Sequence, residues 1–90
     1  MARKKHVVNS TTALSLLEKV VELTKLHEPE RVQANGSVVL TPIELSGILG
    51  CSTTAIHNMV KNGRIVPFMK MKGVTRFLDR DIRQLIESNN

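Results

Sequence analysis

The chain of 90 residues has no tryptophan and no tyrosine, and only two phenylalanines. Its core must therefore be aliphatic, with methionine filling the gaps. A lone cysteine, Cys51, excludes an internal disulfide and a cysteine-based zinc site. It stands in a turn where a small buried hydrophobe is expected rather than a reactive thiol. No apolar run is long enough to span a membrane. The basic residues near Met1 are not followed by an apolar signal core, which predicts a cytoplasmic protein. The three histidines lie far apart and no metal-ligand spacing occurs, so no metal, cofactor or enzymatic activity is expected. Internal repeats and low-complexity segments are also missing.

What the chain has instead is positive charge, unevenly distributed. The net charge is +5 and the pI about 9.9, a balance that favours a polyanionic partner. Residues 1–10 carry +3, 11–36 carry −1, 37–78 carry +4 and 79–90 carry −1. The excess lies on the N-terminal segment and on the stretch between 37 and 78.

That second stretch opens with LTPIELSGILGCSTTAIHNMVKNG, residues 40–63. Thr41 reads as an N-cap, Pro42 as the first helical residue and Glu44 as the partner that completes a capping box. Leu40 and Leu45 fit a hydrophobic staple. Leu45, Ile48 and Leu49 supply an apolar stripe, and Gly50 ends the helix in a left-handed conformation. Ser52 caps a second helix whose buried side is Ile56, Met59 and Val60, and Gly63 stops it. Two short helices joined by a glycine-containing turn form a helix-turn-helix pattern. The second helix, 53–62, turns Thr53, Thr54, His57, Asn58 and Lys61 away from the core. This face is polar and cationic without a carboxylate, which suits the major groove of double-stranded DNA. The plain alternative is a solvated face of an ordinary helical hairpin.

Before this stretch, residues 1–10 read as a flexible basic arm in which Arg3, Lys4 and Lys5 could reach DNA phosphates or a minor groove. A helix is predicted from Ser10 or Thr11 to about His27, and Glu28-Pro29-Glu30 ends it. Its apolar arc is wider than one contact surface needs. One row is Leu14, Leu17 and Val21; the other is Leu16, Val20 and Leu23. The first is assigned to dimerisation and the second to the domain's own core, although the two could exchange roles. Residues 11–36 thus form an N-terminal helix and linker that serves as a dimerisation element. After Gly63, residues 65–71 and 74–78 read as a β-hairpin with a basic, glycine-containing tip, and Pro67 assigns the first strand to an edge. Asp79 is expected to cap a final helix carrying Ile82, Leu85 and Ile86, with Asp81 in its first turn.

The set Leu40-Thr41, Glu44, Leu49-Gly50, Ser52, Gly63, Ile65, Pro67-Phe68, Lys70, Arg76-Phe77 and Asp81-Ile82 resembles the excisionase-like branch of the MerR-like winged helix-turn-helix proteins. The resemblance covers residues 39–87. Leu45-Ser46 stands where two small residues are common, Val66 adds one residue before Pro67, and residues 1–36 have no counterpart. The resemblance implies a mainly α fold with a small β-hairpin wing, here 37–90, preceded by the additional helix. It also implies that the second helix enters the major groove while the wing, 65–78, touches the neighbouring backbone. Ser52, Thr53, Thr54, His57, Asn58 and Lys61 would then face DNA from the helix, and Lys70, Lys72 and Arg76 from the wing. Arg76 has a competing reading, in which it pairs with Asp79 or Asp81. Phe68 and Phe77 are expected in the core.

The function expected is sequence-specific binding of double-stranded DNA by a homodimer. Its role would be that of a small transcriptional regulator or an accessory factor in recombination or maintenance. The alternative is an adaptor or antitoxin that binds another protein through the N-terminal helix.

Overall fold

The structure, a computed structural model, describes residues 10–88. The basic arm containing Arg3, Lys4 and Lys5 lies outside the described residues. Four helices are present among the described residues: α1 (Ser10–His27), α2 (Pro42–Leu49), α3 (Thr53–Lys61) and α4 (Asp79–Ser88). Strands β1 (Val39–Leu40), β2 (Met69–Met71) and β3 (Val74–Leu78) form an antiparallel sheet in the order β1-β3-β2. The chain is thus mainly helical with a small three-stranded sheet.

Local rules fix the ends of the two central helices. The Thr41 hydroxyl accepts from the Glu44 N–H at 3.2 Å, and the Glu44 carboxylate accepts from the Thr41 N–H at 3.0 Å, so the capping box is complete. Gly50 ends α2 with φ of +72°, a left-handed conformation that any side chain would strain. Ser52 caps α3 by accepting from the Ala55 N–H at 3.1 Å. At the other end of α3, the Arg64 N–H donates to the Met59 carbonyl and the Gly63 N–H to that of Val60, closing a Schellman turn.

Leu17, Leu40, Leu45, Ile48, Ile56, Ile82, Val38 and Phe77 are fully buried and form one aliphatic cluster around a single aromatic ring. α1 belongs to this cluster, because it packs on both α4 and α2. Leu17 and Val21 point into the core together with Ala13 and Thr24, and Leu14 is half-buried against it. The assignment of Leu14, Leu17 and Val21 to dimerisation is therefore overturned. The buried row instead includes Ala13, whose small side chain lets neighbouring elements approach closely, and Thr24. Leu16 and Leu23, expected inside, are exposed, while Val20 is half-buried.

The sheet also departs from the two-stranded expectation. Val39 and Leu40 pair with Leu78 and Phe77, so the short run before α2 becomes a third strand beside β3. β2 is confined to three residues. Ile65 turns inward and is buried, and regular pairing begins only where the Phe68 N–H donates to the Arg76 carbonyl at 2.8 Å. Phe77 is in the core as expected, but Phe68 is exposed. Asp79, expected to cap the final helix, is the first residue of α4. It is buried, its carboxylate accepts from the Val38 N–H at 2.7 Å, and its own N–H donates to the Val38 carbonyl at 3.0 Å.

Arg31 joins the linker to α2. Its guanidinium donates to the Val39 carbonyl at 2.7 and 3.1 Å, to Glu28 at 3.2 Å and to both oxygens of Glu44. Burial by itself would raise the Glu44 pKa. The hydrogen bond from Arg31, the Thr41 N–H and the Arg31 charge outweigh it and hold the carboxyl below its ordinary value.

Two expectations follow. Ile56→Ala empties a fully buried site and should cost about 2–5 kcal/mol, whereas the exposed Thr54→Ala should stay within about 0.5 kcal/mol. Urea midpoints of the two variants compare them directly, and equal midpoints would contradict the packing of α3. A carboxyl with a depressed folded pKa adds stability that is complete above its unfolded pKa, about 4.3 for Glu, and is lost as pH falls through the folded value. The urea midpoint of the native chain should therefore exceed that of Glu44→Gln by a constant margin near neutral pH. Below about pH 4.3 that margin should shrink.

Candidate nucleic-acid interface

The segment from Leu45 to Leu78 contains no aspartate or glutamate, but it holds Lys61, Arg64, Lys70, Lys72 and Arg76. None of these five cations makes an ion pair among the described residues. The ion pairs present lie elsewhere: Arg31 with Glu28 and Glu44, and Arg83 with Glu18 and Asp79. Arg76 does not pair with Asp79 or Asp81, and its guanidinium donates to the Thr75 carbonyl at 2.8 Å. A long solvated stretch of one charge sign is costly to crowd together unless a polyanion neutralises it.

α3 builds the central part of this surface. Thr54, His57, Asn58 and Lys61 are exposed and follow one another at helical spacing, so the structure gathers them on one face opposite Ile56. Their chemistry is a hydroxyl, an imidazole, an amide and an ammonium, which together can both donate and accept hydrogen bonds. Ser52 stands at the start of this face, but its hydroxyl already accepts from Ala55 as the cap. Thr53 is half-buried rather than fully exposed, which reduces what it could offer a partner.

The β2–β3 hairpin distributes its cations over different directions. Lys70 pairs with Thr75 and Met69 with Arg76. Directly paired residues share a face, and neighbours along a strand alternate. Because Thr75 and Phe77 are buried, Lys70, itself exposed, is on the core-side face one pair from the tip, whereas Arg76 is on the outer face with Met69, Met71 and Val74. Lys72 occupies the two-residue tip with Gly73, whose φ is +76°. Lys72 thus projects from the end of the hairpin, and Lys70 and Arg76 do not form one patch.

Arg64 is a candidate missed by the motif reading. It is exposed immediately after α3 and belongs to the same carboxylate-free stretch. The charge run around it was the available signal. Cys51 is half-buried, and burial pushes its thiol pKa up. Among the described residues no cluster of histidine, cysteine, aspartate or glutamate could hold a metal ion, and no helix is long and apolar enough to cross a membrane.

No protein-family model matches the chain, and neither does any curated protein or solved structure.

Proposed function

We propose that this protein is a sequence-specific binder of double-stranded DNA with a winged helix-turn-helix architecture. α2 and α3 form the helix-turn-helix, α3 enters the major groove, and the β2–β3 hairpin is the wing that lies on the adjacent backbone. The observation that carries this reading is the exposed Thr54, His57, Asn58 and Lys61 face within a stretch that has five unpaired cations and no carboxylate. A merely solvated helix face would normally mix both charge signs. On this reading the protein works in the cytoplasm on the nucleoid, as a small transcriptional regulator or an accessory factor of recombination or maintenance.

The roles of the side chains follow from their chemistry. Asn58 presents an amide that can pair bidentately with adenine, and His57 and Thr54 offer single hydrogen bonds to base edges. Lys61, Arg64 and Lys72 supply phosphate contacts, joined by whichever of the oppositely directed Lys70 and Arg76 faces the duplex, and these strengthen binding to any sequence. Ser52 contributes by holding the first turn of α3 rather than through its hydroxyl.

Binding measured by fluorescence anisotropy on selected and random duplexes over a salt series tests the assignment. Asn58→Ala should reduce discrimination between the two duplexes by about 1–3 kcal/mol. Lys72→Ala should weaken binding to both and lower the salt slope by about one. Binding of the native chain that is absent, or that does not weaken with salt, would refute the DNA reading itself. An unchanged specificity ratio in Asn58→Ala would refute only the base-reading role of that residue.

A further inference from the structure

α1 carries a second apolar row that the other described residues leave partly to largely exposed. Leu16, Leu23 and Leu26 are 36%, 52% and 72% exposed. With Lys19 they follow one another at steps of three, four and three residues, the alternation of a heptad seam. At about 100° per residue, this row lies roughly 135° around the helix from the buried row of Ala13, Leu17, Val21 and Thr24. α2, α4 and the turn at Pro29–Arg31 all pack against α1, yet none covers these leucines.

The charges beside the seam are also without partners. Lys19 and Glu22 are both exposed, and neither forms an ion pair among the described residues, not even with the other. Glu18, by contrast, is engaged by Arg83 at 2.7 Å. An apolar row with a cation inside it and a carboxylate beside it fits a partner bearing the reverse arrangement.

We propose that the row is covered by α1 of a second copy of this chain, running antiparallel. A two-fold axis near Val21 sets Leu16 opposite Leu26 of the other copy and Leu23 opposite the aliphatic stem of the other Lys19. Each Lys19 ammonium then reaches the Glu22 carboxylate of the other helix, and the symmetry makes every contact twice. The parallel arrangement in register sets Lys19 against Lys19 inside the seam, two like charges with no carboxylate between them. Charge thus selects the antiparallel direction, and the leucines provide the attraction. This interface uses no residue of the proposed DNA surface and stands whether or not the chain binds DNA.

The full chain tests this directly. Sedimentation equilibrium at tens of micromolar should give twice the 10.0 kDa chain mass. Leu23→Glu and Lys19→Glu should each give a folded monomer, judged by an unchanged circular dichroism spectrum and a still cooperative thermal melt that no longer depends on protein concentration. The double exchange Lys19→Glu with Glu22→Lys should restore the dimer. Orientation is read in a Cys51→Ala background with Leu16→Cys and Leu26→Cys chains in a glutathione buffer. The mixture should crosslink, and neither chain should crosslink alone. A monomeric native chain at these concentrations overturns the proposal and leaves the row to a different protein. Efficient crosslinking of the Leu16→Cys chain alone overturns the antiparallel arrangement, as does a double exchange that fails to restore the dimer.

Discussion

Much of this small structure depends on one guanidinium. Arg31 stands after the first helix and gathers three separate parts of the chain: Glu28 before it, the carbonyl of Val39 in the first strand, and Glu44 in the second helix. Glu44 is at the same time half of the capping box with Thr41. A single planar, five-donor group therefore fixes the direction in which α2 leaves the sheet. A lysine could supply the charge but not the fork that reaches two carboxylate oxygens and a carbonyl together. These polar contacts add to the aliphatic core, built around one aromatic ring, in joining the linker, β1 and α2.

The parts legible in the sequence were those governed by short-range rules. The capping box, the left-handed glycine after Leu49, the serine cap of α3 and the inward face of Leu45, Ile48 and Ile56 each depend on residues within one or two helical turns. What escaped depended on distant partners. Val39 and Leu40 are too few to show a strand period, and only pairing with Phe77 and Leu78 makes them one. Asp79 read only as a helix cap, because nothing nearby revealed that Val38 would meet it. The buried row of α1 was disguised by composition, since it contains Ala13 and Thr24 while the exposed row is richer in leucine. Close approach of α4 and α2 leaves room for small side chains, so the face with fewer leucines and no charge is the buried one.

The candidate interface was legible to a similar degree. Thr54, His57, Asn58 and Lys61 do share one exposed face, because helical spacing alone decides that. The hairpin was harder, since a register fixes which face a side chain takes, and one residue of slip exchanges the faces. The observed pairing divides Lys70 from Arg76 and leaves Lys72 at the tip. Arg64 was visible only as part of the charge run and not as part of any motif.

The bond between Val38 and Asp79 also bears on how the chain finds its fold. It joins residues 41 apart in sequence, so both central helices and the hairpin lie inside the loop it closes. Closing such a loop costs chain entropy that grows slowly with its length. The cost is least disruptive once the interior has shortened itself into α2, α3 and the hairpin, all of which form from local contacts. The Val38–Asp79 contact ties the strand entrance before β1, and with it the linker, to the start of α4.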